Sequence, residues 1–492
     1  MERICGIETE FGCLVRDPAL GDPDEVVEIV KDQAFQNGRW GLIDRHARDA
    51  FFEPAEAGGF LINGGRLYVD VVGSHLEYAS PECSTIDDLI AFNKAGQRLL
   101  VKLVGELDWR ERVSFHNNNV DHYGGHTFGC HENYSLDPQT HPYGRDLGPL
   151  IPFLVTRQIY AGAGRVGGHL LTDNPSDMIR DIRGHRADYA FLDQIYGVES
   201  LDDVDFQLSQ RADHILYVAS GRVRFSRALI NPKWDSFQDA SNWPRLHILF
   251  GESNLCDTAM FLKIGATALV LDAIEAGIAP RDLNLDRPVR GRSSAIQRIS
   301  HDPDWKWIVE LEDGRTMSAI DIQRRYLECA QAFRGRDAET DQVLEAWERI
   351  LDALEADPLK LSHELDWVAK YQLLQMYREA EGLDWDDDAL QSLDLEYHNA
   401  DPDSGLFHAL EQTGDVHRRV DDAAIDAALD GGPSSTRAYA RAQLVKALRS
   451  ANVQDYLIEW DGVTVGAKRA LVFEDPFDDY ADEVQRFLSR LT

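Results

Sequence analysis

The sequence predicts an α+β protein whose sheet is mostly antiparallel or mixed and is packed by helices on one side. Short strand-like runs recur between residues 111 and 300 and are separated by turn residues, which argues against regular βαβ repeats. The stretch from about 318 to 390 has a mainly helical pattern, and a strand-like run followed by a helix-like run ends the chain.

The individual elements follow from periodicity and from turn and cap residues. Before residue 111 we expect a strand over 3–13, a helix over 22–35, a loop over 40–59, a strand over 60–72 and a helix over 84–107. The next strand-like runs are RVSFHNNNV, FGCHENYSL, HILYVAS, RFSRALIN and RLHILFGESN, and a helix apolar enough to be buried follows as TAMFLKIGATALVLDAIEAG. The last predicted elements are the strand DYLIEWDGVTV and the helix YADEVQRFLSRL.

Two domains are expected because 492 residues are many for one compact core. The segment DGGPSS at 430–435 is the best linker candidate, since glycine, proline and serine together interrupt regular structure. We therefore predict a large domain over 1–425 and a small C-terminal domain over 433–492.

Charge and cysteine content exclude several classes of function. The 85 acidic and 50 basic residues give a formal net charge of −35, which opposes binding to nucleic acid or to an anionic membrane. The chain has no run of eighteen apolar residues, and its N-terminus has no signal-peptide pattern, so we expect a cytoplasmic protein with no membrane partner. Six scattered cysteines without C-x-x-C spacing predict reduced thiols rather than a zinc site or a disulfide framework.

Two predicted strands each carry a polar face. Alternation in the first strand places Glu8 and Glu10 on one side, and alternation in the second places Arg66, Tyr68 and Asp70 on one side. The following segment GSHLEYASPEC adds Glu77, Ser80 and Glu82. Mg²⁺ prefers oxygen ligands, so glutamates beside a tyrosine on an open sheet predict a magnesium site. A solvated edge strand is the alternative interpretation of an isolated E-x-E pattern.

Two later runs predict further contacts to a metal or a phosphate. His131 shares a strand face with Asn133 and is a candidate metal ligand, although a lone histidine is more often a core residue. Arg245 lies two residues before His247 and could neutralise phosphate oxygens. The chain has no P-loop, no dinucleotide fingerprint and no G-x-S-x-G motif, so a sheet of carboxylates that holds a metal-bound nucleotide is the leading enzyme class.

Several segments together resemble the Pup ligase and depupylase family, within the carboxylate-amine ligase superfamily that includes glutamine synthetase. They are GIETEFG, NGGRLYVD, GSHLEYASPEC, YGGHTFGCHENY, PFLVTRQIYAGAGRV, FQLSQRADHI, RLHILFGESN, IEW and DPF. The resemblance runs along essentially the whole chain. It implies a large glutamine-synthetase-like domain whose curved sheet holds ATP and Mg²⁺ at one end of a groove for Pup, a small protein modifier.

The resemblance also implies roles for residues at matching positions. Glu8, Tyr68 and Glu77 are similar to metal ligands of the family, and Asp70 is similar to its catalytic aspartate. The ATP contacts would be Arg66, Ser80 and Trp460. The implied reaction transfers the γ-phosphoryl group of ATP to the C-terminal glutamate of Pup, and a target lysine, deprotonated by Asp70, then forms an isopeptide bond.

Two alternatives to a ligase stay open. A depupylase or deamidase would hydrolyse Pup conjugates with a nucleotide that is not consumed, and the length of the 40–59 loop, which is intermediate between the two branches, leaves this possible. A binding protein without turnover is suggested by residues 232–239, which lack an arginine and a glutamate usual in the family. The chain also departs from the family pattern at Val72 and at His116. The segments GIETEFG, GSH, LDLEYH and DPF favour the ligase branch.

Overall fold

The computed structural model describes residues 2–36, 39–48, 54–70, 75–122, 126–140, 147–172, 197–221, 227–231, 243–466 and 469–490. Strands and α-helices of these residues are numbered in chain order. The strands are β1 Cys5–Val15, β2 Gly41–Ile43, β3 Gly58–Leu61, β4 Arg66–Asp70, β5 His75–Ala79, β6 Val113–His116, β7 Cys130–Ser135, β8 Arg165–Val166, β9 His169–Thr172, β10 Gly197–Ser200, β11 Phe206–Gln207, β12 Tyr217–Ala219, β13 Ala228–Asn231, β14 Arg245–Gly251, β15 Ile308–Glu310, β16 Thr316–Ser318, β17 Tyr456–Glu459, β18 Gly462–Val465 and β19 Arg469–Val472. The helices are α1 Pro23–Phe35, α2 Ile86–Glu106, α3 Leu150–Thr156, α4 Gln158–Ala161, α5 Asp257–Glu275, α6 Ala295–Ser300, α7 Ala319–Ala330, α8 Ala338–Ala356, α9 Asp366–Glu381, α10 Asp388–Tyr397, α11 Leu406–Thr413, α12 Asp422–Asp430, α13 Arg437–Ser450 and α14 Ala481–Leu488.

The chain divides into two compact units. The central unit contains the described residues of Asn118–Asp235 and Trp243–Arg419, and the terminal unit contains the described residues of Glu2–Asn117 and Val420–Thr492. The terminal unit therefore combines residues from the beginning of the chain with residues from its end. This division differs from the boundary expected near 425–433, which stays a prediction about independently folding domains.

In the terminal unit, an antiparallel sheet packs one face against helices. Strand β1 pairs with β5 and with β6, and the order continues from β5 through β4 and β3 to β2. On the packed face, the hydroxyl of Thr9 donates to Asn93 of α2 at 3.1 Å. A Cβ atom at Gly96 of α2 would lie 2.3 Å from the ring of Tyr78, so only glycine permits this close approach of helix to sheet.

The predicted strand over 60–72 is wrong, because the described part of this segment forms a hairpin. Strands β3 and β4 pair antiparallel with Phe60 opposite Arg66. The turn between them is closed by a hydrogen bond from the amide of Leu61 to the carbonyl of Gly65 at 2.8 Å, and Gly64 has a φ of +82° that glycine adopts without strain. The asparagine–glycine pair at 63–64 was the turn signal in the sequence. Strand β2 likewise lies inside the segment predicted as a loop over 40–59.

The C-terminal part of the terminal unit combines a small sheet with helices. Strands β17, β18 and β19 form an antiparallel sheet, and the predicted terminal helix is present as α14. Helix α13 meets the segment after β5 through Glu82, which accepts from Arg437 at 2.9 Å and also pairs with Arg441. These ion pairs fix helix α13 beside the strands that carry the polar face.

The central unit contains strands paired in both parallel and antiparallel fashion and most of the described helices. Strand β14 pairs antiparallel with β7 and β13, whereas β12 and β13 are parallel. Helix α5 is buried along most of its length, as the apolar pattern predicted. The region predicted as mainly helical forms α7, α8, α9 and the beginning of α10. The predicted α+β class is confirmed.

Three other expectations have different outcomes. All six cysteines are free, as expected. No helix among the described residues combines the length and the apolar character needed to cross a membrane, and the cytoplasmic location stays a prediction. Val72 and residues 232–239, where the chain departs from the family pattern, lie outside the described residues.

The contacts of Glu82 generate a prediction about stability and pH. Burial alone would raise the pKa of Glu82, but Arg441 and Arg437 lower it from 4.5 to about 2. The carboxylate therefore stabilises the fold above pH 4.5, and this contribution is lost as the pH falls through about 2. We expect Glu82→Gln to lower the apparent melting temperature at pH 7 by roughly 2–5 °C.

Thermal unfolding of both proteins between pH 2 and pH 7 measures this effect. The two melting temperatures should converge as the pH falls below 4.5 toward 2. Glu483→Gln is the matched control, because its ion pair with Arg486 is exposed and such pairs contribute little. A gap between wild type and Glu82→Gln that stays constant with pH would contradict the prediction.

Candidate nucleotide and metal site

Strands β1, β5 and β4 of the terminal unit present polar side chains on one face. Directly opposed residues of antiparallel strands point to the same side of a sheet, so the pairing register identifies this face. The predicted faces of β1 and β4 are confirmed, and β5 lies between them. Three rows of opposed residues result: Glu8, Ala79 and Arg66; Glu10, Glu77 and Tyr68; His75 and Asp70.

Three carboxylates on this face are close enough to share one cation. Oxygen atoms of Glu10, Asp70 and Glu77 lie within 4.8 Å of one another, and we call these three residues the carboxylate cluster. Glu10 is 5% exposed and Glu77 is 3% exposed, so water solvates neither carboxylate well. The sequence predicted Glu10 and Glu77 as metal ligands, whereas Asp70 was predicted only as the catalytic aspartate.

The electrostatics of the cluster favour the binding of a cation. Burial raises the pKa of Glu77 well above its usual value, and the charges of Glu8, Glu10 and Asp70 raise it further. Crowded carboxylates repel one another unless a proton or a cation neutralises part of the charge. An all-oxygen donor set of this kind suits a hard cation such as Mg²⁺. The residues present therefore fit the predicted metal.

Tyr68 contributes a neutral hydroxyl to the site. Burial raises the pKa of the Tyr68 phenol, and the nearby charges of Glu77 and Glu8 raise it as well, so the phenol stays protonated. The hydroxyl donates a hydrogen bond to the Glu77 carboxylate. Tyr68 consequently orients Glu77, and any metal contact through its side chain would use the neutral oxygen.

His75 is a member of the site that the sequence did not single out. Its Nδ1 atom lies 2.9 Å from Oε2 of Glu10, and its side chain is 8% exposed. This contact fixes the orientation of one carboxylate of the cluster. The alternation of His75 with Glu77 along β5 was the available signal, because residues two apart on a strand share a face.

Arg66 lies at the edge of the cluster and is held by an acid. Its Nη2 atom donates to Oδ2 of Asp44 at 2.8 Å, and its guanidinium lies 4.5 Å from the centre of the Tyr68 ring. The same guanidinium is 6.0 Å from the centre of the Phe60 ring. Arg66, a predicted nucleotide contact, therefore lies between the carboxylate cluster and the Phe60 ring.

Trp460 also packs on Phe60. It follows β17 in the tight turn before β18, and its ring meets the Phe60 ring edge-on at 5.1 Å between centres. Arg441 lies over the Trp460 ring at 4.7 Å and donates to the Trp460 carbonyl at 2.6 Å. The structure thus brings together Arg66 and Trp460, two predicted ATP contacts that are far apart in the sequence.

The hydroxyl of Ser80, the third predicted ATP contact, is engaged by the backbone. The amide of Ile7 donates to Ser80 Oγ at 3.0 Å, and Ser80 Oγ donates to the carbonyl of Pro81 at 3.1 Å. Ser80 is 5% exposed. Ser80, which directly follows β5, is thereby hydrogen-bonded to the beginning of β1.

The other two predicted contacts lie in the central unit. His131 on β7 meets the ring of His247 edge-on at 5.1 Å between centres. Arg245 on β14 donates to the amide oxygen of Asn133 at 2.7 Å. The register places Asn133 opposite His247, so His131 and Asn133 share a face with Arg245 and His247. The predicted sharing of faces is confirmed within this unit.

Comparisons with known proteins agree on one family. A family model described as Pup-ligase protein matches residues 3–464. A Pup–protein ligase of Nocardia farcinica is 35% identical over 506 residues, covering 99% of this chain and 99% of that protein. A Pup–protein ligase of Rhodococcus erythropolis is 35% identical over 504 residues, with 99% of each chain covered.

Solved structures give the same result. The crystal structure of the complex between the Prokaryotic Ubiquitin-like Protein Pup and its ligase PafA is similar with a TM-score of 0.77 and 30% identity, covering 100% of this chain and 92% of that chain. The Pup ligase PafA in complex with ADP is similar with a TM-score of 0.73 and 31% identity, covering 89% of this chain and 90% of that chain.

The crowding of carboxylates predicts that Glu77→Gln raises the melting temperature without divalent cations and reduces the further rise that Mg²⁺ causes. Glu77→Gln removes a negative charge from a repulsive cluster, so we expect the variant to melt at a higher temperature than wild type in the absence of divalent cations. The same change removes a ligand, so the rise in melting temperature that Mg²⁺ causes in wild type should be largely lost.

Thermal unfolding with chelator and with Mg²⁺ measures both effects. Glu25→Gln, in the cap of α1, is the control and should keep the response to Mg²⁺. An unchanged response to Mg²⁺ in Glu77→Gln would show that the cation binds elsewhere.

Proposed function

The chain belongs to the Pup-ligase family, and on this premise we propose that it is an ATP-dependent ligase that attaches a Pup-like protein to lysine side chains of target proteins. The bond formed is an isopeptide between the C-terminal glutamate side chain of the modifier and the lysine amine. One observation carries the proposal: the face of β1, β5 and β4 presents carboxylates of the kind that hold a metal-bound nucleotide, in a chain similar to Pup–protein ligases along 99% of its length.

Mg²⁺ would be held by the oxygen donors of this face. The proposed ligands are Glu8, Glu10, Glu77 and Tyr68. His131, in the central unit, stays a sequence-based prediction. The charge crowding at Glu77 supports this assignment, since a divalent cation relieves it. When bound, Mg²⁺ would neutralise charge that develops on the transferring phosphoryl group.

ATP would be held by positive charge and aromatic surface beside the carboxylates. We propose Arg66, Ser80 and Trp460 as its contacts. Arg245, in the central unit, stays a sequence-based prediction. Arg66 and Trp460 are supported by their common packing on Phe60. The ligase in complex with ADP, which is similar to this chain, supports the use of a nucleotide.

Asp70 would act as the base for the lysine. A protonated amine has no lone pair for attack, so a positioned carboxylate must remove its proton. The γ-phosphoryl group of ATP would first move to the side-chain carboxylate of the modifier's C-terminal glutamate and release ADP, and the amine would then displace phosphate from this γ-glutamyl phosphate.

The test is a paired assay of the purified protein with ATP and Mg²⁺. One arm contains a Pup-like protein ending in glutamate together with a lysine-bearing acceptor, and the other contains a preformed conjugate. Conjugate formation matched by an equal amount of ADP supports the ligase. Cleavage of the conjugate without matching ADP would identify a depupylase instead, and binding of the modifier without turnover would identify a binding protein.

We expect Asp70→Asn to lower the rate of conjugation by about 10²–10⁴-fold, the usual contribution of a general base. The affinity for ADP should stay close to that of wild type, because Asn keeps the size of the side chain and Arg66 and Trp460 are unchanged. Asp32→Asn, on the exposed side of α1, is the control and should retain the wild-type rate. A rate for Asp70→Asn close to wild type would contradict the assignment of the base.

A further inference from the structure

Asp44 links two arginines of the terminal unit. Its Oδ2 atom accepts from Arg66 Nη2 at 2.8 Å and from Arg48 Nε at 2.9 Å. The exposed fractions are 8% for Asp44, 5% for Arg66 and 10% for Arg48. A carboxylate that is largely withdrawn from water and shared by two guanidinium groups restricts both of them.

Arg48 also reaches the strand that precedes Trp460. Its Nη1 atom donates to Oε2 of Glu459 at 2.5 Å, and its Nη2 atom donates to the carbonyl of Ile458 at 2.6 Å. These are the last two residues of β17, and Trp460 follows directly. The planar guanidinium thus fixes both a side chain and the backbone immediately before the tryptophan.

Phe60 lies within this set of contacts. The guanidinium of Arg48 is 5.0 Å from the centre of its ring, that of Arg66 is 6.0 Å away, and the Trp460 ring centre is 5.1 Å away. A shared rigid ring limits the positions that all three side chains can take. Arg66 and Trp460 are therefore connected both by packing and by the chain of ion pairs through Asp44, Arg48 and Glu459.

We propose that Arg48 is a positioning residue for nucleotide binding. It holds the guanidinium of Arg66 through Asp44, and it holds Trp460 through the end of β17. The inference rests on the proposed function, which assigns Arg66 and Trp460 to the nucleotide. It also gives a role to the 40–48 part of a segment that the sequence indicated only as a loop. Loss of Arg48 weakens nucleotide binding and leaves the chemistry at Asp70 intact.

Arg45 provides a matched control that tests whether the 40–48 segment has only a structural role. Arg45 also contacts the C-terminal part of the unit, because its Nη2 atom donates to Gln454 at 2.5 Å and its guanidinium lies 5.7 Å from the centre of the Tyr456 ring. Arg45 therefore attaches the segment to the same small sheet. These contacts, to Gln454 and to the Tyr456 ring, attach the segment through other residues than Asp44 and Glu459, so Arg45→Gln tests attachment of the segment alone.

The experiment measures ADP binding by calorimetry for the full chain and four variants in the presence of Mg²⁺. Arg48→Gln should bind ADP on the order of tenfold more weakly, the scale of one lost hydrogen bond to a charged group. Arg48→Lys should be intermediate, because lysine keeps the charge but not the planar set of donors. Asp44→Asn should resemble Arg48→Gln, and Arg45→Gln should bind as wild type.

Conjugation kinetics separate positioning from catalysis. For Arg48→Gln the KM for ATP should rise with the ADP dissociation constant, while kcat at saturating ATP stays near the wild-type value. Wild-type ADP affinity in Arg48→Gln would overturn the inference. Equal losses in Arg45→Gln and Arg48→Gln would also overturn it, because simple attachment of the segment would then explain both.

Failure of the inference is distinct from failure of the proposed function. A wild-type protein that binds no ADP contradicts the proposed function and the inference together. A wild-type protein that binds ADP, with variants that bind it equally well, contradicts the inference alone. If Arg48→Gln does not fold, Arg48→Lys decides: weaker ADP binding with a wild-type melting temperature supports positioning, and unchanged binding overturns it.

Discussion

Repulsion among carboxylates on one face of a sheet is the constraint on which the site depends. Glu10, Asp70 and Glu77 place oxygen atoms within 4.8 Å of one another, and two unit charges at such a distance repel by about 3.5 kcal/mol at an effective dielectric constant of ~20. The helix-packed side of the sheet holds these strands in register, with contacts such as Thr9 to Asn93 and Gly96 to Tyr78. The fold therefore holds these carboxylates in an arrangement that a bound cation stabilises.

Arginines near the carboxylate cluster form ion pairs with Asp44 and Glu82, which are not members of the cluster. Arg66 and Arg48 share Asp44, and Arg441 and Arg437 share Glu82. Each of these arginines has an acidic partner that is at most 14% exposed, and loss of that partner would leave an uncompensated charge. The result is a negative region next to an aromatic and cationic region, which matches the two ends of a metal-bound nucleotide. The chain belongs to the Pup-ligase family, and such an arrangement suits the ATP-dependent ligation proposed for it.

Local patterns in the sequence predicted much of this site. Alternation alone placed Glu8 with Glu10 and Tyr68 with Asp70, and the register confirms both faces. The alternation from Arg66 onward favours one strand over 60–72, whereas the asparagine–glycine pair at 63–64 forms the turn of a hairpin at 58–70. Asp44, Arg48 and Arg441 were also missed, since Arg48 and Glu459 are 411 residues apart and no local pattern predicts such a pairing. The position of Ser80 was predicted, but its engagement by Ile7 depends on strand pairing that only the fold reveals.

The most direct test of the central claim is to locate the cation. Crystals of the protein grown with ADP and Mn²⁺ would give an anomalous signal for the metal. We expect the metal within coordination distance of the Glu77 carboxylate, on the face shared by β1, β5 and β4, with the nucleotide between it and Trp460. A metal and nucleotide bound away from this face, with the carboxylate cluster making no contact to either, would contradict the account.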